Sequence, residues 1–146
     1  MNLEIYVLKN YIYCISLKYI SDENLAYILP KLILYDKPQI FHYHNNNNGD
    51  KMIIISDDYY YVIEPYINEN VYMKKYNIIQ LMNTGEYIND TGMVARISTL
   101  FSDKNIPILY LTTLDNNYIL FEENHFNKTL KLLYTLTDNI IIDTII

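Results

Sequence analysis

The sequence predicts an α+β fold made of two like units. Three observations carry that expectation. Short runs rich in β-branched and aromatic residues alternate with segments of helical period. The order of these segments repeats once along the chain. With 146 residues, 51% of them hydrophobic, the chain can bury one compact domain or two half-domains.

Residues 3–8 (LEIYVL) and 11–17 (YIYCISL) read as two strands, with Lys9-Asn10 turning between them. A helix follows in SDENLAYILPKLIL. Leu25, Ile28, Leu29, Leu32 and Ile33 fall on one helical face, and Ser21 or Asp22 caps its start. Pro30 lies inside, and the missing N–H predicts a kink or a restart there. Residues 39–44 (QIFHYH) read as a strand, Asn45–Asn48 as the start of a polar loop, and residues 51–56 (KMIIIS) as the returning strand. YYYVIE, at 59–64, fits either a strand or a short turn of helix.

The second half repeats the order. Residues 76–82 (YNIIQLM) form a strand, and NTGEYINDTG a loop. Met93, Val94, Ile97, Leu100 and Phe101 space out a helix starting at Met93. Pro107 ends the helical pattern before a strand at 108–112, and residues 118–121 return. Glu122, Glu123 and Asn124 suit a helix N-terminus, followed by a face of Phe126, Leu130, Leu133 and Tyr134. The Ile-rich tail is open between strand and coil. The order is the βαββαβ pattern of ferredoxin-like folds, with antiparallel sheets. The division falls at residues 1–70 and 71–146.

Composition excludes several functions. The net charge is −6, the lysines are scattered and Arg96 is the sole arginine, so a phosphate-backbone surface is not expected. Tyrosine, isoleucine and asparagine are abundant throughout, as AT-rich coding produces, so their presence alone does not mark a site. Cys14 is the only cysteine, which fits a reducing compartment. MNLEIYVLKN lacks a signal-peptide pattern, and NIIIDTII is too short for a membrane span. These features predict a cytoplasmic protein with no membrane contact.

Candidate catalytic groups are few. His42 and His44 share one strand face, but no obvious third ligand accompanies them, so no metal is expected. Cys14 sits in an apolar strand with nothing to activate it. Asp57-Asp58 and Glu122-Glu123 suit helix starts better than acid–base chemistry. NDT and NKT match the glycosylation sequon, which means little without a secretion signal. No cofactor motif stands out. The Asn89–Gly92 turn is different. A helix N-terminus exposes unpaired N–H groups at a positive dipole end, and glycine permits close approach. The alternative is that Asp90 or Thr91 caps the helix and Gly92 only eases the turn.

GMVARIS, NIPILYLTT and YILFEEN resemble the ACT domain, a small-molecule-binding regulatory module of amino-acid metabolism. More narrowly, the chain resembles tandem ACT proteins related to aspartokinase regulatory domains and CASTOR-type cytosolic arginine sensors. MNLEIYVL, KLIL, FHYH and MIII carry a looser resemblance in the first half. The resemblance implies a non-catalytic regulator that binds an amino acid at an ACT–ACT interface. It places the ligand's amino and carboxylate groups at Asp90, Gly92, Met93 and Val94, and its side chain against Thr113, Leu114, Asn116 and Asn117. A facing ACT unit adds Pro107 and Ile108. Two residues depart from the sensor pattern. Asn117 stands where arginine sensors carry an acid, and Pro107 where they carry a serine. CASTOR-type sensors have four units, so a homodimer of this chain would restore that number. A ligand-free interaction module acting on a protein partner is the alternative, and an enzyme is the third.

Overall fold

The computed structural model describes residues 3–34, 40–83, 90–113 and 116–144. Its elements run β1 (Leu3–Ser16), α1 (Asp22–Ile33), β2 (Phe41–Asn45), β3 (Lys51–Ser56), α2 (Tyr60–Ile63), β4 (Met73–Asn83), α3 (Asp90–Asp103), β5 (Leu109–Thr112), β6 (Asn117–Phe121), α4 (Phe126–Leu133) and β7 (Ile140–Thr144). Short 3-10 turns flank α2 and precede α4. The result is a mixed α/β fold with predominantly antiparallel pairing.

Two compact units divide the chain. One holds residues 1–9 with 76–145, the other residues 10–75. The N-terminal strand segment therefore groups with the second half of the sequence, not with the residues that follow it.

In the unit of residues 1–9 and 76–145, β4 pairs antiparallel with β6, and β6 with β5. β1 neighbours β4 and pairs in parallel with β7. Its core gathers Leu3, Ile5, Val7, Ile79, Met93, Ile97, Phe101, Ile119, Phe121 and Leu133. α3 ends through Asn105, at φ 54, while Ile106 N–H donates to the Phe101 carbonyl at 3.0 Å. Asparagine tolerates that left-handed conformation, and the bond closes the helix before Pro107.

In the unit of residues 10–75, β3 pairs antiparallel with both β1 and β2. Its core is Ile15, Leu17, Leu25, Ile28, Leu32, Ile53, Ile55, Tyr59 and Ile63. Ser21 caps α1, its hydroxyl accepting from Asn24 N–H at 3.2 Å. The apolar period holds at Leu25, Ile28 and Leu32, but Ile33 is exposed. Pro30 neither breaks nor restarts the helix. It sits in the last turn, where only one intrahelical bond is lost, and its carbonyl accepts from Leu34 N–H.

Two further local expectations change, and two left open are decided. β1 is one 14-residue strand, without a turn at Lys9-Asn10. Asn10 is buried, and its amide donates to Asp57 Oδ1 at 3.2 Å and Asp58 Oδ2 at 2.8 Å. Those bonds hold extended a residue that would otherwise favour a turn. α3 begins at Asp90, three residues before the expected Met93, because polar residues of its first turn carry no apolar period. Residues 59–64 resolve as helical, with Tyr59 and Ile63 buried. The Ile-rich tail forms β7 beside β1.

Candidate functional site

The candidate residues lie on three features of one unit. The first is the start of α3, which begins at Asp90. The first N–H groups of a helix have no intrahelical acceptor, so its opening turn presents donors and a partial positive charge. Gly92 lies within that turn and is exposed. A Cβ built on it would meet nothing within 4 Å, and it does not adopt a positive φ. Neither crowding nor backbone strain therefore demands glycine here. Met93 next to it is 4% exposed and anchors the turn into the core, with Val94 half-buried.

The second feature is the β5–β6 turn. Thr113 N–H donates to the Asn116 carbonyl at 2.8 Å, and Asn116 N–H donates to Thr113 Oγ1 at 3.1 Å. From β4, Gln80 Nε2 donates to Asn116 Oδ1 at 2.7 Å. Asn117 starts β6 opposite Leu81 of β4 and Thr112 of β5. Its side-chain oxygen is buried and has no hydrogen-bond partner among the described residues. An unpaired buried acceptor is costly, and a donor from a bound molecule would relieve it. Beside it, burial pushes the Tyr118 hydroxyl above its ordinary pKa. Leu114 and Asp115 lie outside the described residues.

The third feature is the segment entering β5. Pro107 is exposed and Ile108 packs against the core. The strand itself starts at Leu109, one residue later than expected. These two residues precede β5, whereas Thr113 follows it, so the strand's length separates them within one copy. The structure thus gathers Thr113, Asn116 and Asn117 with the end of β4, and leaves Pro107 and Ile108 at the other end of β5.

Gln80 escaped the sequence reading. An amide inside the apolar run at 78–82 (IIQLM) was the available signal, but only the fold shows that it holds the turn. Two concave surfaces also appear, neither lined by the candidate residues. A cleft of about 430 Å³ runs along α3 past Ala95, Arg96, Thr99 and Leu100 to Thr135 and Leu136. The other unit carries a groove of about 740 Å³ between Tyr27, Pro30, Lys31 and Leu34 on one side and Tyr61, Val62, Pro65 and Tyr66 on the other. Among the described residues no group of three or more His, Cys, Asp or Glu gathers for a metal, and Cys14 is buried with its thiol pushed up to about 11.

Comparison with known proteins gives this arrangement its context. Residues 75–135 match the ACT domain family. The matched ACT segment contains the start of α3, the β5 entry and the β5–β6 turn. No curated protein matches the chain in sequence. Among solved structures, protein Atu0741 from Agobacterium tumefaciens superposes with a TM-score of 0.66 at 15% identity, covering 97% of this chain and 94% of that one. The regulatory subunit of aspartate kinase from Thermus thermophilus, in its ligand-free form, gives 0.62 at 8% identity, covering 91% and 95%. Clostridium acetobutylicum aspartate kinase, an allosteric enzyme, gives 0.59 at 18% identity, covering 91% of this chain but 34% of the kinase. At such identities these likenesses are of fold, and the fold shared is that of aspartokinase regulatory ACT domains. No helix among the described residues is long and apolar enough to cross a membrane.

Proposed function

We propose that this protein is a non-catalytic regulator whose ACT units bind a small ligand, an amino acid, at an interface completed by a second copy of the chain. It acts by shifting the population of a partner-competent state. In this reading the chain is a tandem of two ferredoxin-like ACT units of the CASTOR and aspartokinase-regulator type, at work in the cytoplasm. The single observation that carries it is Gly92. Within the ACT-matched segment it stands exposed in the first turn of α3, and nothing in the fold requires it to lack a side chain.

The chemistry is coherent. The ligand carboxylate meets the unpaired N–H groups of the first turn of α3, that of Gly92 among them, at the positive end of the helix, while Met93 and Val94 behind it shape the floor of the site. Its ammonium meets Asp90. Thr113, Leu114, Asn116 and Asn117 judge its side chain, with the unpaired Asn117 oxygen accepting from it. Pro107 and Ile108 enter from the facing copy, consistent with their separation from the turn within one chain. Asn117 carries no charge to pair with a guanidinium, so a neutral side chain is preferred over arginine.

A second reading has its own observation. Pro107 offers no N–H to a carboxylate, which favours a ligand-free assembly module working through a protein partner. A thermal-shift screen against the twenty amino acids separates the two. A ligand at about a hundred times its dissociation constant adds about 2.7 kcal/mol, worth about 5–10 °C at this size. One responder whose shift is lost in Asp90→Ala supports the sensor. Silence across the panel supports the assembly module.

A further inference from the structure

β2 is an edge strand, pairing among the described residues with β3 alone. His42, Tyr43, His44 and Asn45 are exposed on both faces of it. Proteins usually blunt such an edge with charge or proline, and FHYHN has neither. Its bonding parity is fixed by two hydrogen bonds. Ser56 N–H donates to the Ile40 carbonyl at 3.2 Å, and Asn46 N–H donates to the Asp50 carbonyl at 2.8 Å. Residues of even number thus bond inward to β3, in the register His42 to Ile54 and His44 to Met52. Phe41, Tyr43 and Asn45 direct their peptide groups to the free edge.

His42 and His44 share one face. Their rings lie nearly parallel, 11° apart in plane and 6.5 Å between centroids. The His44 ring also contacts the Asn46 side-chain oxygen. Two imidazoles are half of what a tetrahedral zinc site uses, and among the described residues no third His, Cys, Asp or Glu joins them. A second copy supplies the rest. Pair two β2 strands antiparallel about a two-fold axis at Tyr43. The two Tyr43 residues then exchange backbone hydrogen bonds, as their outward peptide groups allow. His42 falls opposite the partner subunit's His44 at a non-hydrogen-bonded position, where side chains approach most closely, with Cβ atoms about 4.5–5.5 Å apart. Four imidazoles then share one sheet face.

We propose that His42 and His44 of two chains together bind one divalent transition-metal ion of the zinc class, joining the chains through β2. The site is independent of the amino-acid reading, because it uses other residues in the other unit. The test is titration of zinc chloride into the untagged, metal-stripped full chain, followed by calorimetry and sedimentation. The expected result is one zinc per two chains and a mass double that of the metal-free state, reversed by EDTA. His42→Ala and His44→Ala each remove the doubling. Tyr43→Pro removes an outward N–H while leaving the β3 ladder intact, and it too prevents doubling. One zinc per chain without a mass change, doubling that survives in the double histidine variant, or no zinc uptake would each overturn the proposal.

Discussion

Gly92 concentrates the functional argument at the scale of single residues. Glycine inside a helix costs about 0.5–1 kcal/mol relative to alanine, and the space around this one is open. Gly92→Ala is therefore expected to raise the stability of the free protein by up to about 1 kcal/mol in urea melts, while weakening ligand binding. A substitution that lowers stability would mean that the turn itself needs glycine. Cys14 gives a second residue-scale prediction. Burial raises its thiol from 9.0 to about 11. The neutral thiol is thus favoured in the fold, and that contribution is intact below pH 9 and lost as pH climbs through about 11. Tyr13, Tyr60 and Tyr118, all raised first by burial, act in the same sense. Urea midpoints should fall across this alkaline window, less so in Cys14→Ala. Native protein at pH 8 should react slowly with a thiol reagent that labels the unfolded chain at once.

At the scale of elements, helix ends and helix faces carry the stability. Removing the Ser21 cap from α1 by Ser21→Ala should cost about 1 kcal/mol. Truncating fully buried Phe101 on α3 should cost about 3–5 kcal/mol, and denaturant titration of the pair checks that order. Elements with strong period were legible beforehand. Leu25, Ile28 and Leu32 announced α1, and KMIIIS announced β3 with its observed limits. β1 was not legible as one strand, because what straightens Lys9-Asn10 is a pair of carboxylates 47 and 48 residues away. Tyr134, placed on the buried face of α4, is exposed, because the helix ends at Leu133 and turns Thr129 and Leu132 inward instead. In the candidate site, Gly92 and the Thr113–Asn117 turn stood out in sequence. The Gln80 bond to Asn116 did not, since it joins β4 to a turn 36 residues away.

At the scale of the whole molecule, each unit has its own core, and the ACT-matched segment belongs to the unit of residues 1–9 and 76–145. That assignment rests on the N-terminal strand's placement beside β4 and β7. No local pattern reveals it, because strand pairing is a choice of tertiary partner. The same scale bears on assembly. The ligand reading needs a second copy to bring Pro107 and Ile108 to the site, so the mass of the protein in solution should at least double one chain when ligand is bound. The most direct test of the central claim is an amide-resolved NMR titration with the amino acid that gives the largest thermal shift. The account predicts saturable shifts of the Gly92 and Met93 amides, accompanied by those of Asn116 and Asn117. Saturable binding that leaves these amides unmoved and instead shifts the Tyr27–Tyr66 groove would contradict it.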